Sequence, residues 1–352
     1  MKKKKIGLCG NLGPNSNISN GQIIKTRIIS DELKRYYKDG YLKPVNTWLW
    51  KSKPIRTLFG CLYLLFKCSD IVILPARGGI KIILPLFSIG ARLFNKRIHY
   101  IAVGGWLPSF IRNRKFLKRQ TSKIFRIYVQ TESMVENLKE LGIMNSIYLP
   151  NFKRLHRIKE EDLLTEFIEP YPLCTFSRII REKGILDAIK AVEYTNKISG
   201  KTIYTLDIYG DIEKEFEIEF NKALEESSDS IKYKGYVEFN QSNNVLKNYF
   251  ALLFPTYYSG EGFPGTLIDS FAAGLPIIAT DWLYNKELIQ EGYTGLLYIL
   301  EKEKHKGLAD VLLYAHKNRE VLISMRRNCL RESMKNIPEN VMKVLINGIN
   351  KK

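Results

Sequence analysis

Glu261-Gly-Phe-Pro-Gly-Thr-Leu-Ile-Asp269-Ser-Phe-Ala-Ala-Gly274-Leu-Pro276 sets two carboxylates eight residues apart across a Gly/Pro-rich turn that runs into a helix. Pro264 suits the first helical turn, where its missing N–H costs nothing. A turn feeding a helix start offers backbone N–H groups to an anion, and flanking carboxylates accept hydrogen bonds from hydroxyls. The stretch follows an apolar run, 251–254, and precedes another, 276–279. Strand, loop, helix, strand is the unit of a doubly wound α/β domain, whose ligands bind beyond the carboxyl ends of the strands.

Working outward, the same alternation recurs. Strands are expected at 173–176, 204–209 and 231–233, and helices at 184–199, 212–227, 245–249 and 307–330. Upstream, 4–10 reads as a buried strand, 11–21 as a Gly/Asn/Ser loop and 22–37 as a helix, with further strands at 70–75, 99–103, 126–130 and 146–149 and a helix at 132–141. The chain has 352 residues, which suits two domains. Pro150-Asn151 is the expected boundary, giving an N-terminal Rossmann-like domain (1–150), a second one (151–335), and a C-terminal helix (336–352) that crosses back to the first. The fold class is α/β.

The strand ending at 176 runs into Thr175-Phe-Ser177-Arg178-Ile-Ile-Arg181-Glu182-Lys183-Gly184. Arg178 and Lys183, five apart on such a loop, can converge on a diphosphate through charge-assisted hydrogen bonds of about 1.5–3 kcal/mol each. Taken alone, a lysine at a helix start is a solvated charge, Glu261 a loop carboxylate and Asp269 a solvent-facing helix residue.

In combination these motifs resemble glycosyltransferase family 4, of the GT-B fold. Supporting matches are Gly210-Asp211, Gly235-Tyr236-Val237, Asn285–Glu287 and Gly292-Tyr-Thr-Gly295, so the resemblance covers about 175–300. It implies two Rossmann-like doubly wound domains facing a central cleft, and a retaining transfer of a hexose-type sugar from a nucleotide-diphosphate sugar. It also implies a lipid-linked or polysaccharide-precursor acceptor in bacterial capsule or cell-surface glycan synthesis. Arg178 and Lys183 would hold the donor diphosphate beside Ser177, and Glu261 would contact hydroxyls of the moving sugar. Gly262, Phe263, Pro264, Gly265 and Thr266 would line sugar and phosphates. Asp269, where relatives carry Glu, would accept from the ribose, and Gly235, Tyr236 and Val237 would border the base. Gly13 and Gly21 are the candidates for the Gly-rich loop beside the donor phosphates. Relatives place a sugar-contacting His after the strand at 99–103; here Val103-Gly104-Gly105 stands in its place, and no catalytic His is carried over. The chain lacks Asp-x-Asp, and its four His and five Cys are scattered without a CxxC pair, so the expectation is no metal and no cofactor.

Charge is unevenly placed. Residues 1–150 hold 27 Lys and Arg against 7 Asp and Glu, so that half carries +20, and the remainder −1 of the total +19. Arg112, Lys115, Arg119, Lys123 and Arg126 step by three or four and are read as one basic helical stripe, with Phe116, Gln120, Ile124 and Ile127 on the neighbouring face. A basic amphipathic helix meets anionic membrane surfaces, with a merely solvated charged face as the alternative. Trp106 would stack on a sugar or lipid, or sit in the core. The apolar runs 58–66 and 80–94 read as buried core, with interfacial insertion as the alternative. No run of 18 apolar residues and no signal peptide is read. The expected location is cytoplasmic, peripheral at the inner face of the plasma membrane, with a nucleotide-sugar donor, a lipid-linked glycan acceptor and no nucleic acid as partners. Alternatives are a nucleotide-sugar epimerase or phosphorylase on the same fold, or a basic nucleic-acid-binding protein, which would need a recognition motif that the sequence lacks. A dinucleotide oxidoreductase is disfavoured because no G-x-G-x-x-G follows the first strand.

Overall fold

The computed structural model describes residues 5–14, 21–38, 40–238 and 241–351; positions 15–20 of the first Gly/Asn/Ser loop lie outside them. The chain divides into two compact units, one of residues 1–154, 260–263 and 336–352, the other of residues 155–259 and 264–335.

The first unit opens with β1 (Ile6–Gly10), α1 (Gly21–Tyr37), β2 (Leu42–Asn46), α2 (Pro54–Lys67), β3 (Asp70–Leu74), α3 (Ile80–Leu93) and β4 (Arg97–Ile101). It continues with α4 (Leu107–Arg112), α5 (Lys115–Thr121), β5 (Arg126–Val129), α6 (Glu132–Glu140) and β6 (Ser146–Tyr148). The strands form a parallel sheet in the order β2-β1-β3-β4-β5-β6. β1 and β3 are buried along their whole length, as unbroken apolar runs in parallel sheets are. β2 escapes a period-based expectation because it contains Pro44; as an edge strand it tolerates the missing donor. Right-handed crossovers put α1 on one face of this sheet and α2 and α3 on the other.

The second unit runs β7 (Tyr171–Phe176), α7 (Ile185–Ser199), β8 (Tyr204–Tyr209), α8 (Glu217–Glu225), β9 (Ile231–Gly235), α9 (Ser242–Leu246) and β10 (Ala251–Phe254). Then follow α10 (Gly265–Ala272), β11 (Ile277–Thr280), α11 (Asn285–Leu288), β12 (Gly295–Tyr298), α12 (Lys304–Lys317) and α13 (Arg319–Ser333). Its parallel sheet has the order β12-β11-β10-β7-β8-β9, and its core gathers Leu173, Ile189, Leu206, Ile208, Phe250 and Leu253. The last helix, α14 (Pro338–Asn350), belongs to the first unit and lays Val341, Met342, Leu345 and Ile349 against Ile6, Leu8, Ile28 and Leu33. Arg97 donates to the carbonyl of Ile349 at 2.7 Å and tethers its end. Among the described residues no helix is long and apolar enough to cross a membrane.

Two expectations need correction. The basic run 112–126 is not one helix: α4 ends at Arg112, α5 stops at Thr121, and Arg126 starts β5. The strand wins because Ile127, Tyr128 and Val129 are all buried in the sheet, which no helical phase from Arg112 satisfies. The runs 58–66 and 80–94 are helices rather than wholly buried elements; each buries one face only.

Lys25, which helical spacing puts off the apolar face of α1, is buried. Its ammonium lies 5.2 Å over the Phe152 ring and has no hydrogen-bond partner among the described residues. Burial alone lowers its pKa from 10.5 to about 7, a cost to the charged form of about 4–5 kcal/mol. The unfolded chain keeps this proton up to pH 10.5 and the folded chain releases it near 7. Between those values the unfolded state binds more protons, so native stability rises with pH. Lys25→Met is therefore expected to raise the melting temperature at pH 7 by at least about 5 °C, with the gain over wild type shrinking towards pH 10. Equal melting temperatures at pH 7 would contradict this.

Candidate active site

β7 is the first strand of the second unit, yet it lies inside the sheet: the chain moves outward through β8 and β9, then returns to place β10 on the other side of β7. The β7/β10 junction is thus a topological switch point, where adjacent loops diverge and leave a crevice beyond the strand ends. The connection that carries Ser177, Arg178 and Lys183 and the one that carries Glu261 to Pro264 both start there.

The β7–α7 connection holds Ser177, Arg178 and Lys183. Ser177 N–H donates to the Tyr209 carbonyl at 3.1 Å, and its hydroxyl donates to the Arg178 carbonyl at 3.1 Å. Arg178 is exposed and paired with Glu213 at 2.6 Å. A single 3-10 turn, Arg181–Lys183, then delivers Lys183, whose ammonium stands 5.3 Å from the Phe254 ring centre and 5.5 Å from that of Tyr258. Such cation–π contacts orient an ammonium without neutralising it. Gly184 closes the turn with φ +71°, and a Cβ there would sit 2.1 Å from the Pro255 carbonyl oxygen.

The β10–α10 connection is tied to the first one. Tyr257 N–H donates to the Glu182 carbonyl at 2.8 Å, the Thr256 hydroxyl donates to the same oxygen at 3.3 Å, and the Thr266 hydroxyl donates to the Phe176 carbonyl at 2.8 Å. These bonds fix Lys183 relative to the start of α10, which begins after Pro264 with no side-chain cap. The half-buried Pro264, Gly265 and Thr266 form that start, and Asp269, one turn on, is buried. Asn243 donates to the Asp269 carbonyl at 3.0 Å. Gly235 ends β9 and accepts from Gly210 N–H at 3.0 Å; beyond it Tyr236 is exposed and Val237 half-buried.

Glu261, Gly262 and Phe263 are buried and belong to the first unit. The Gln130 side chain organises them: its Oε1 accepts from the N–H groups of Gly104 and Phe263, both at 3.2 Å. Asn151 Nδ2 donates to the Phe263 carbonyl at 2.9 Å, and Gly260 accepts from Gly105 N–H at 3.1 Å. A side chain at 262 would collide with Gln130 and the Gly104 backbone. Sequence inspection missed Gln130 and Asn151, both uncharged; the only signal was their place after β5 and β6.

Elsewhere in the first unit, Gly13 is buried, bonded through Asn11 Oδ1 at 2.9 Å and Asn46 Nδ2 at 2.8 Å, and borders a cavity of about 570 Å³ shared with Trp48, Lys53 and Arg56. Gly21 starts α1 in open space. Trp106 spends its N–H on the Val103 carbonyl at 2.7 Å and packs edge-on against Phe110. Arg112, Lys115 and Arg119 are exposed, and Lys123 and Arg126 half-buried. His99 is a buried strut between Asp70 at 3.1 Å and Tyr128 at 3.0 Å; burial lowers its pKa despite the Asp70 partner.

The family match falls on the unit that holds this crevice. Residues 164–333 match the family model described as glycosyl transferases group 1. The matched stretch holds Arg178, Lys183, Asp269 and the α10 start. Over 130 residues the chain is 33% identical to the GtfA subunit of a UDP-N-acetylglucosamine–peptide N-acetylglucosaminyltransferase from Streptococcus pneumoniae serotype 4, covering 37% of this chain and 24% of that one. The GtfA subunit of Streptococcus gordonii is 26% identical over 288 residues, 79% of this chain and 54% of that one. The chain thus spans from a quarter to about half the length of these curated relatives. Among solved structures, Anabaena HepE in complex with UDP-glucose superposes with a TM-score of 0.75 at 12% identity, over 99% of this chain and 100% of HepE. The fold is that of the GT-B glycosyltransferases.

Proposed function

We propose that this protein is a retaining, metal-independent glycosyltransferase that moves a hexose-type sugar from a nucleotide-diphosphate sugar to a lipid-linked or polysaccharide-precursor acceptor at the inner face of the membrane. The observation that carries the donor half is the locked pair of connections at the β7/β10 switch point, which holds Lys183 beside an uncapped helix start. GtfA is named for a UDP-sugar transfer and HepE binds UDP-glucose, which supports a nucleotide-sugar donor here.

The chemistry follows from charge. Breaking the bond between the anomeric carbon and the phosphate oxygen leaves the electron pair on the diphosphate and positive character on the sugar. The acceptor hydroxyl forms the new bond and gives up its proton. Lys183, Arg178 and the N–H groups at the start of α10 stabilise the departing diphosphate, a preorganised electrostatic role. Arg178 exchanges Glu213 for phosphate at small cost, since an exposed ion pair contributes only about 0–1 kcal/mol. Asp269 accepts from the ribose hydroxyls, Gly235 to Val237 border the base, and Glu261 accepts from hydroxyls of the moving sugar. The test is a calorimetric titration of the full chain with UDP- and GDP-sugars in the presence of EDTA, followed by product analysis with and without acceptor. Transfer that needs an acceptor and keeps the donor's anomeric configuration supports the proposal; acceptor-free interconversion of the sugar nucleotide would make the protein an epimerase.

A further inference from the structure

α2 and α3 are apolar on two opposite faces. Cys61, Leu64 and Leu65 of α2, and Leu84 and Phe87 of α3, are buried in the first unit. Away from these, Ile55, Phe59 and Phe66 are 69%, 68% and 60% exposed, and Ile82, Ile89 and Leu93 are 57%, 44% and 75% exposed. At 100° per residue each trio falls within about 40° of arc on its helix, so these are two stripes and not scattered side chains. The helices pack directly: Leu65 fills the space that a side chain at position 90 would take, and the Phe66 ring meets Phe94 at 4.6 Å. An amphipathic surface helix shows one apolar stripe; a second, outward one marks an interaction face.

Its surroundings say what covers it. Between Asp39 and Glu132 the sequence has 17 Lys and Arg and a single acid, Asp70. That acid is buried and bonded to Arg97 and His99. The cations fringe the stripes: Lys53, Arg56 and Lys67 at α2, Lys81 and Arg92 on α3. α5 packs on α3 and adds Lys115 and Arg119. Desolvation, together with the Arg119 and Arg92 cations, lowers the pKa of Lys123, which places these three charges together beside α3. Apolar side chains ringed by uncompensated cations match an anionic bilayer, with acyl chains for the stripes and headgroups for the fringe.

We infer that the α2–α3 face is the surface by which the protein inserts into an anionic lipid bilayer. It deepens the proposed membrane-face reading and rests on it only for the acceptor's location. The described cysteines are all buried, so a fluorescent NBD label can be directed to a new one. Phe59→Cys and Leu93→Cys are labelled, with the exposed Ile218→Cys in the second unit as control. With mixed phosphatidylcholine/phosphatidylglycerol vesicles, labels at 59 and 93 should brighten, shift to the blue and be quenched by brominated acyl chains, while the label at 218 stays unchanged. The combined Phe59→Ser, Phe66→Ser and Leu93→Ser variant should lose more than about tenfold in vesicle affinity while binding nucleotide-sugar as wild type does. Co-sedimentation with labels at 59 and 93 still in water would overturn the inference in favour of another surface. A blue shift without lipid, accompanied by a doubled mass, would overturn it in favour of a second copy of this chain. Absence of sedimentation together with intact donor binding would overturn it and leave the donor chemistry standing.

Discussion

Lys183→Ala is expected to lower turnover by about 10²–10³-fold, the usual loss when one preorganised stabiliser of developing negative charge is removed. The ammonium is placed by the 3-10 turn Arg181–Lys183 and by two aromatic rings, and the turn is pinned to the β10–α10 connection through the Glu182 carbonyl. This loss in kcat should come on top of a smaller, about tenfold, loss in donor affinity, because the charge that Lys183 meets is already present on the bound diphosphate and is largest as the diphosphate leaves. The fold should survive: the side chain's ring contacts contribute about 1 kcal/mol at a half-exposed position. Lys183→Arg should recover part of the rate and Lys183→Gln very little, which separates a role in charge from one in packing. Wild-type turnover by Lys183→Ala, measured as nucleotide release with acceptor present, would remove Lys183 from the mechanism.

The second large effect is on stability. Gly184 has φ +71° and lies where a Cβ would be 2.1 Å from the Pro255 carbonyl oxygen, a backbone atom that cannot rotate away. Gly184→Ala therefore meets two costs: about 1–2 kcal/mol for an L-residue in the left-handed region, and displacement of one connection from the other. Together they should exceed about 4 kcal/mol, lowering the melting temperature by roughly 8–16 °C for a unit of this size. Gly200→Ala is the matched control: its φ is +66°, with no atom within 4 Å of the added methyl, so it should lose only the conformational part. If the two variants melt together, the close approach of the two connections is not as described. If Gly184→Ala also lowers kcat in the surviving folded fraction, the placement of Lys183 depends on that approach.

The second unit was legible because its strands are short apolar runs closed by Gly, Pro and charged loops, and because Arg178 and Lys183 follow one strand end while Asp269 lies in the helix that follows another. What the sequence hid has separable causes. Pro44 masks β2, which its edge position excuses. Three-to-four spacing of Arg112, Lys115, Arg119, Lys123 and Arg126 imitates one helix although the five are spread over α4, α5, a loop and β5; spacing that runs across separate elements defines no common face. The runs at 58–66 and 80–94 look like core because composition records how many apolar residues a helix has and not which faces the sheet covers. Lys25 looked solvated, and only tertiary packing places it against Phe152. Gln130 was invisible for a different reason: its partner Phe263 is 133 residues away, and a neutral amide leaves no charge pattern. The quoted stretch itself is divided, with 261–263 in one unit and 264–276 in the other, a boundary that no local signal marks.

The most direct test of the central claim is a titration of the full chain with UDP- and GDP-hexoses, with EDTA present, read by calorimetry for wild type, Lys183→Ala and Asp269→Asn. The account predicts saturable one-to-one binding of at least one of these donors to wild type, weakened at least about tenfold in each variant with the melting temperature of the variants preserved. Absence of binding by every nucleotide-sugar, or binding of equal strength in all three proteins, would contradict it.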